Sequence, residues 1–289
     1  MRLRASLLLL CFFLPAVASA QTLSYAGDLP STRAFMADLA ALYEAKGRGA
    51  IGVELVSSTE ALVRASSGEV DMGGSARPAQ ESNRQERRAS MYPIVWDALV
   101  VVANRDNPIM NISLEQLVGV YAGELTSWSD LNGAEQPIEI LTHGGERHGI
   151  DHNVAELLLG DATQPLASSR TVGNMEALGE AVATAPWSLG IVTYSAARKM
   201  NVKILAVGGR SASFQTIQSG DYLLYTPLYL AVREDGRNRR DVRNFIKFAS
   251  SGEAKRVLRR NGVVPYADGL ALVSRQLDRA EMFERIRRN

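Results

Sequence analysis

Three short loops rich in Gly, Ser and Thr stand where a strand-like segment gives way to a helix-like one: Ala26–Thr32, Ser57–Thr59 and Gly144–Gly149. Such a loop leaves backbone N–H groups unpaired at the positive end of the following helix. One terminus of this kind attracts an anion, and several converging on one point attract it more strongly. The same residue types also serve as ordinary N-caps, which satisfy those N–H groups internally. All three histidines, His143, His148 and His152, fall within ten residues. His148 and His152 are one helical turn apart and Glu156 continues that face, a spacing that suits zinc or copper if a third ligand converges. The chain contains no G-x-S-x-G nucleophile turn and no H-E-x-x-H metal helix, and Asp71, Asp97 and Asp151 show no visible paired partner. The chemistry on offer is binding rather than catalysis, and no cofactor motif is present.

The elements that must position these residues alternate between strand-like and helix-like, which predicts an α/β architecture with a largely parallel sheet. Strand patterns cover 22–25, 52–56, 70–73, 94–104, 138–142, 189–193, 202–206 and 228–232. Apolar Phe35, Met36, Leu39, Ala40 and Tyr43 at helical spacing predict a helix over 33–46. Ser57-Ser58-Thr59-Glu60 and Ser113-Leu114-Glu115-Gln116 read as capping boxes that open two more helices. Further helices are expected after Gly149 to about Leu159, over 174–185, 239–250 and 252–261, and in the tail from Leu270. The polar stretch 80–89 reads as a solvated helix or loop. Trp96, Trp128, Trp187 and Tyr229 read as core residues.

Length and composition bound the class. The chain has 289 residues, 46% hydrophobic and 22% charged, which excludes bulk disorder and allows one large domain or two ordinary ones. Lys+Arg 32 against Asp+Glu 31 leaves a net charge of +1, so no basic excess points to nucleic acid. The arginine clusters 84–88, 237–243, 256–260 and 285–288 are balanced by nearby acids and read as solvated helix faces, or as a docking surface for a permease. Met1–Ala20 reads as a secretory signal peptide: Arg2 and Arg4 precede the apolar run Leu7–Val17, and Ala18-Ser19-Ala20 is a small-x-small cleavage site. Cleavage there would remove the one cysteine, Cys11, and take the net charge to −1. The expected product is an exported, disulfide-free periplasmic protein with no membrane span.

The order of these segments resembles that of the phosphate-binding proteins in the type II periplasmic solute-binding superfamily. Asp71-Met72-Gly73-Gly74-Ser75-Ala76-Arg77-Pro78 is similar to that family's D-I-G-x-S-S-R-P segment. The stretch 97–108, from Asp97-Ala98 to Asp106-Asn107-Pro108, resembles its D-G-hydrophobic-N-x-D-N-P segment, and Leu114–Asp130 its L-x-x-I-F-x-G-x-I-x-x-W stretch. Leu189-Gly190-Ile191-Val192, Tyr225-Thr226-Pro227-Leu228-Tyr229, Phe245–Phe248 with Ser251-Gly252-Glu253, and Gly262–Pro265 follow in the family's order. The resemblance implies two α/β lobes, 21–94 plus 233–289 and 95–232, with a ligand cleft between them. Two hinge crossings would lie near 95–104 and 224–232, and closure over a ligand is the expected motion.

The resemblance further implies inorganic phosphate or a related oxyanion as ligand, a monomer, no nucleic acid, and an inner-membrane ABC permease as partner. Carried over residue by residue, the ligand set is Ser31 and Thr32, then Ser57 and Ser58, then Ser75 and Arg77, then Gly149 in the loop after 138–141. That loop departs from the family's R-x-x-G-S-G-T. Here it reads His143-Gly144-Gly145-Glu146-Arg147-His148-Gly149-Ile150, with His148 in place of the Ser and Ile150 in place of the Thr. The Arg position falls on His143 or Gly144, and Arg147 is the nearby guanidinium that could take its role. Some family members carry an Asp beside the third segment that accepts the proton of hydrogen phosphate; here Ala76 or its neighbour takes that place. Metal capture through His148 and His152, and a scaffold repurposed for sensing or partner docking, are the alternatives.

Overall fold

The computed structural model describes residues 22–144 and 149–288. Met1–Ala20, Arg147 and His148 therefore lie outside the described residues. The chain opens with strand β1 (Leu23–Gly27) and a helical stretch built of α1 (Leu29–Ser31), a π-helical turn (Thr32–Met36) and α2 (Ala37–Ala45). Strand β2 (Ile51–Leu55), helix α3 (Ser58–Ser67) and strand β3 (Met72–Ser75) complete a β-α-β-α-β unit. Ser57 caps α3 by accepting the Glu60 N–H at 3.2 Å. The polar stretch 80–89 is a series of turns, and β4 (Ser90–Ala103) follows it.

Strand β5 (Asn111–Ile112) leads into α4 (Leu114–Ala122), where Ser113 and Gln116 form a complete capping box. The helix ends at Gly123, whose φ of 81° is open to glycine at little cost. After β6 (Glu139–Thr142) come α5 (Gly149–Val154) and a second π-helical turn (Ala155–Leu159). The chain continues through β7 (Arg170–Thr171), α6 (Met175–Thr184), β8 (Ser188–Thr193) and α7 (Tyr194–Ala197). The expected strand over 202–206 is two short ones, β9 (Lys203–Ile204) on β4 and β10 (Ala206–Val207) on β5, because the Leu205 N–H turns to the Val101 carbonyl between them. Helix α8 (Phe214–Ser219), β11 (Tyr225–Val232), α9 (Arg239–Ala249), α10 (Gly252–Arg260), β12 (Val264–Pro265) and α11 (Ala271–Arg288) complete the chain.

The sheet runs β2-β1-β3-β11-β4-β8-β6-β7. Its two ends are parallel: β1 pairs with β2 and β3 in that sense, and β6 with β7 and β8. The centre is antiparallel, with β11 on β3 and β4, and β4 on β8. β4 belongs to both halves, pairing β11 and β12 through Ala98 and β8 and β9 from Leu99 onward. The Leu99 N–H reaches the Leu224 carbonyl at 2.7 Å, just ahead of β11, so both strands that join the halves change partners at one level. Pro93, which has no N–H for the ladder, sits beside the register shift between Leu228 and Tyr229, where a bulge tolerates it. Ile94–Ala103 is buried throughout, the continuous apolar run expected of a strand covered on both faces.

Trp96 and Trp128 are buried in the core, whereas Trp187 and Tyr229 are half-buried at its margin. Trp96 stacks on Tyr266 at 4.9 Å and meets Tyr225 edge-on. Arg84, Arg87 and Arg88 are exposed, as are Arg239 and Arg240 on α9 and Arg259 and Arg260 on α10. Among the described residues no helix is long and apolar enough to cross a membrane.

Asp97 lies at the level where β4 changes partners. Its carboxylate accepts the Ser195 hydroxyl at 2.5 Å, the Ser195 N–H at 3.3 Å and the Ala98 N–H at 2.8 Å. Burial pushes this carboxyl up to about 6, and the three donors only partly oppose it. A raised carboxyl favours the folded state below the ordinary carboxylate range, and that advantage is lost as pH rises through about 6. Asp97→Asn lacks this contribution, so its stability relative to the wild type should rise by about 3 kcal/mol between pH 3 and 7. Urea unfolding of both proteins across that range checks the difference, and parallel curves would refute it.

Candidate functional site

The first loop is organised by Asp28, the N-cap of α1. Its Oδ1 accepts the Ser31 N–H at 2.8 Å, the local turn that an Asp one residue ahead of Leu-Pro-Ser makes. Its Oδ2 accepts two donors from elsewhere in the sequence, the Ser58 hydroxyl at 2.5 Å and the Ala76 N–H at 2.6 Å. One buried carboxylate thus ties the loop after β1, the first turn of α3 and the loop after β3. Burial raises its pKa; the hydrogen bonds from Ser31, Ser58 and Ala76 pull the other way without cancelling that rise. Beneath it, the Tyr25 hydroxyl lies 3.0 Å from Ser31 Oγ and 3.2 Å from Thr32 Oγ1. Burial, with the Asp28 charge, keeps that phenol well above the usual tyrosine range.

The third loop is held by a separate device. Ser75 Oγ donates to the Arg77 carbonyl at 2.8 Å and accepts the Arg77 N–H at 3.2 Å. The Arg77 guanidinium turns away from the cleft and makes a two-pronged pair with Glu86 at 2.8 and 2.9 Å, with further bonds to Thr59 Oγ1 and the Pro78 carbonyl. Burial disfavours the Glu86 charge, but Arg77, the Gln80 N–H and Asn83 more than offset this and hold its pKa below the usual range. Ser75, Arg77 and Glu86 are all buried, so this cluster is internal.

The fourth segment arrives from the other half of the sheet. The His143 and Gly144 N–H groups donate to Asp151 Oδ2 at 2.8 and 2.9 Å, and His143 Nδ1 lies 2.9 Å from Asp151 Oδ1. The Gly149 N–H donates to Ser58 Oγ at 3.2 Å, and Asn153 Nδ2 donates to the Ala76 carbonyl at 2.6 Å. A Cβ on Gly149 would lie 2.7 Å from Ser58 Oγ and 2.8 Å from Ala76 Cβ, so glycine permits this approach. Between the halves is a cleft of about 340 Å³ lined by Asp28, Ser57, Ser58, His143, Gly149 and Asn174, among others; among the described residues no Lys or Arg lines it.

Of the residues anticipated from sequence, Ser31, Thr32, Ser58 and Gly149 join one hydrogen-bonded system, Ser57 lines the cleft beside it, and Ser75 bonds Arg77 in the separate cluster behind it. Arg77 lies behind the cleft wall, committed to Glu86. His152 is on α5; among the described residues no group of three or more His, Cys, Asp or Glu is placed to hold a metal. The three carboxylates that showed no partner in sequence all have one: Asp71 is held by Ser24 and Asn238, Asp97 by Ser195, and Asp151 by the His143 loop. Sequence reasoning missed Asp28 and Glu86. For Asp28 a signal existed, an N-capping residue three positions before Ser31; for Glu86, inside an arginine-rich polar run, there was none.

Two α/β halves joined by an antiparallel strand pair, with loops and helix N-termini facing one cleft, define a two-lobed binding protein. The profile of the PBP superfamily domain matches residues 17–253, and the chain belongs to that family. Its relatives include the phosphate-binding protein PstS of Staphylococcus haemolyticus, 26% identical over 65% of this chain and 63% of that protein. The protein SphX of Synechococcus elongatus is 25% identical over 68% of this chain and 64% of its own length. The chain thus spans less than two-thirds of the length of these curated relatives. A Clostridium perfringens protein assigned to phosphate ABC transport and solved with phosphate bound superposes with a TM-score of 0.74 at 18% identity, covering 85% of this chain and 99% of that one. An ABC-type phosphate transport receptor from Vibrio cholerae does so with a TM-score of 0.68 at 22% identity, over 84% and 99%. These structures share the type II periplasmic-binding fold with this chain.

Two outcomes follow from the packing. Gly149→Ala forces its Cβ onto Ser58 and Ala76, so it should cost about 1–3 kcal/mol of stability or prop the lobes apart. Urea unfolding with small-angle scattering detects either effect, and a variant unchanged in both would contradict the contact. Glu86→Ala leaves a buried guanidinium unpaired and should cost about 3–5 kcal/mol, read from the same unfolding curves.

Proposed function

We propose that this chain is an exported solute-binding protein that captures phosphate or a closely similar oxyanion and delivers it to an inner-membrane ABC-type permease. It acts as a periplasmic monomer, without cofactor and without a chemical step. Met1–Ala20 directs export and is removed after Ala20. One lobe comprises 21–94 and 233–289, the other 95–232, and they close about the paired crossings at β4 and β11.

The observation that carries this reading is the convergence of donors from segments distant in sequence: the Ser31 N–H, the Ser58 hydroxyl, the Ala76 N–H and the Gly149 N–H meet in one network at the cleft. Donors of this kind, with the helix N-termini at Ser57 and Gly149 behind them, suit a tetrahedral oxyanion without any side-chain cation. Ser57, Ser58 and Gly149 contact the ligand, while Ser31 and Thr32 shape the first loop. Ser75 and Arg77 hold the third loop's backbone in place. Arg147 and His148 complete the ligand set that the resemblance implies. The names of the relatives supply phosphate as the first candidate.

The test is calorimetric titration of the purified, ligand-stripped protein with phosphate and with sulfate. Replacing Ser57 and Ser58 together by Ala removes two hydroxyl donors to an anion, each worth about 1.5–3 kcal/mol, so affinity should fall at least tenfold. Unchanged affinity would reject this assignment of the site. A second reading, a scaffold retained for sensing or partner docking, is favoured by the carboxylate already seated on the donors. Absence of binding to either anion in the wild-type protein would select it.

A further inference from the structure

The Ser58 hydroxyl on the cleft wall is already engaged by a carboxyl group of the chain itself, which also holds two buried backbone donors behind that wall. The Asp28 carboxylate takes the Ser31 N–H, the Ser58 hydroxyl and the Ala76 N–H. It is 5% exposed, and among the described residues no Lys or Arg shares the cleft lining with it. The guanidinium nearest in sequence to the third loop, that of Arg77, is committed to Glu86. An oxyanion entering the cleft would meet both a negative charge in low dielectric and donors already in use. Either cost alone would weaken binding; both disappear when Asp28 gains a proton, because the neutral carboxyl releases acceptor demand and can itself donate.

Resting on the oxyanion reading above, we propose that Asp28 is a tethered competitor for the anion site, so that each oxyanion binds together with one proton taken up from solvent by Asp28. The proton goes onto an Asp28 carboxylate oxygen, the Ser58 hydroxyl turns to the incoming anion, and release reverses both. Burial, which already raises the Asp28 pKa, makes that proton less costly to acquire than at an exposed carboxylate. Other charged groups around it are held elsewhere. Tyr25 on β1 is buried below it, with a pKa pushed further from neutrality. Arg33 of the π-helical turn pairs with Glu176 of α6 at 2.6 Å, and Glu60 of α3 faces Arg64. Arg77 pairs with Glu86, and His143 with Asp151. Among the described residues, Asp28 and His143 are the titratable ones in the cleft lining, and of these Asp28 takes the Ser58 hydroxyl.

The test uses sulfate, which carries no titrating proton near neutrality, alongside phosphate. Both are titrated calorimetrically into the wild-type protein and into Asp28→Asn and Asp28→Ser, from about pH 5 to about pH 8 in two buffers of different ionisation enthalpy. For the wild type, sulfate affinity should rise as pH falls, approaching tenfold per pH unit above the Asp28 pKa, with about one proton taken up per anion. Both variants should bind at least tenfold tighter than wild type near neutral pH, with no proton uptake for sulfate. The His143–Asp151 pair is intact in all three proteins, so a difference between them belongs to Asp28. Wild-type binding without proton uptake, or variants that bind no tighter, would overturn the competitor role while leaving the oxyanion site standing. No binding of either anion to any of the three proteins would remove the oxyanion reading, and this proposal with it. Asp28→Ser keeps an N-cap for α1, so a folding failure of Asp28→Asn alone does not decide the question.

Discussion

A carboxylate withdrawn from water must be met by donors or give up its charge. Asp28 imposes that demand on segments separated by as many as 48 positions, since its Oδ2 reaches the Ala76 N–H. Satisfying it draws the first turn of α3 and the loop after β3 against the loop after β1. It also fixes the Ser58 hydroxyl so that its oxygen can accept from Gly149 on the opposite lobe. The cleft's floor and one of the contacts between its two halves therefore depend on one buried carboxyl. Tyr25, Ser31 and Thr32 extend the same network into the core, so the floor is rigid rather than a loop laid on the surface.

The frame that carries this floor is the antiparallel pair of β4 and β11 at the centre of a sheet whose two ends are parallel. Parallel strands need covering helices on both faces, and each half of the molecule provides them. The paired crossings let the halves share one continuous sheet while leaving their loops free to face each other. Helix α11 adds a further tie: from the C-terminal end it packs on α4 and α8, and Arg287 donates to the Leu157 carbonyl. Arg279 reaches the Leu223 carbonyl close to the crossing. The lobes are thus linked by two strands and by a helix laid across their outer side.

Charge is distributed with the same economy. Net charge is close to zero, and the buried guanidinium of Arg77 is spent on internal structure, so that among the described residues no Lys or Arg lines the cleft. What the described lining offers a negatively charged group is hydroxyls and backbone dipoles, which are fixed in direction and shorter in reach than a flexible cation. A cleft made this way is sensitive to any nearby carboxylate, and Asp28 stands on its wall.

Local chemistry made much of this legible in the sequence. Apolar spacing marked α2, the long apolar run marked β4, and Ser113 with Gln116 marked the start of α4, because each signal is contained within a few residues. The alternation of strands and helices, and the order of motifs, indicate the α/β fold, and the loops they mark include Ser57, Ser58 and Gly149, which line the cleft. Tertiary structure alone decided the rest. The Asp28–Ala76, Asp97–Ser195 and Arg77–Glu86 pairings join residues whose sequence neighbours say nothing of one another. Arg77 in a motif looks like an anion ligand, yet a buried guanidinium must be matched at once by the nearest available carboxylate, and folding places Glu86 there. Asp28 in isolation is an ordinary helix cap. It becomes the central charge of the cleft only when three loops close around it, because the strength and direction of an electrostatic interaction are set by burial and distance, and neither exists until the chain has folded.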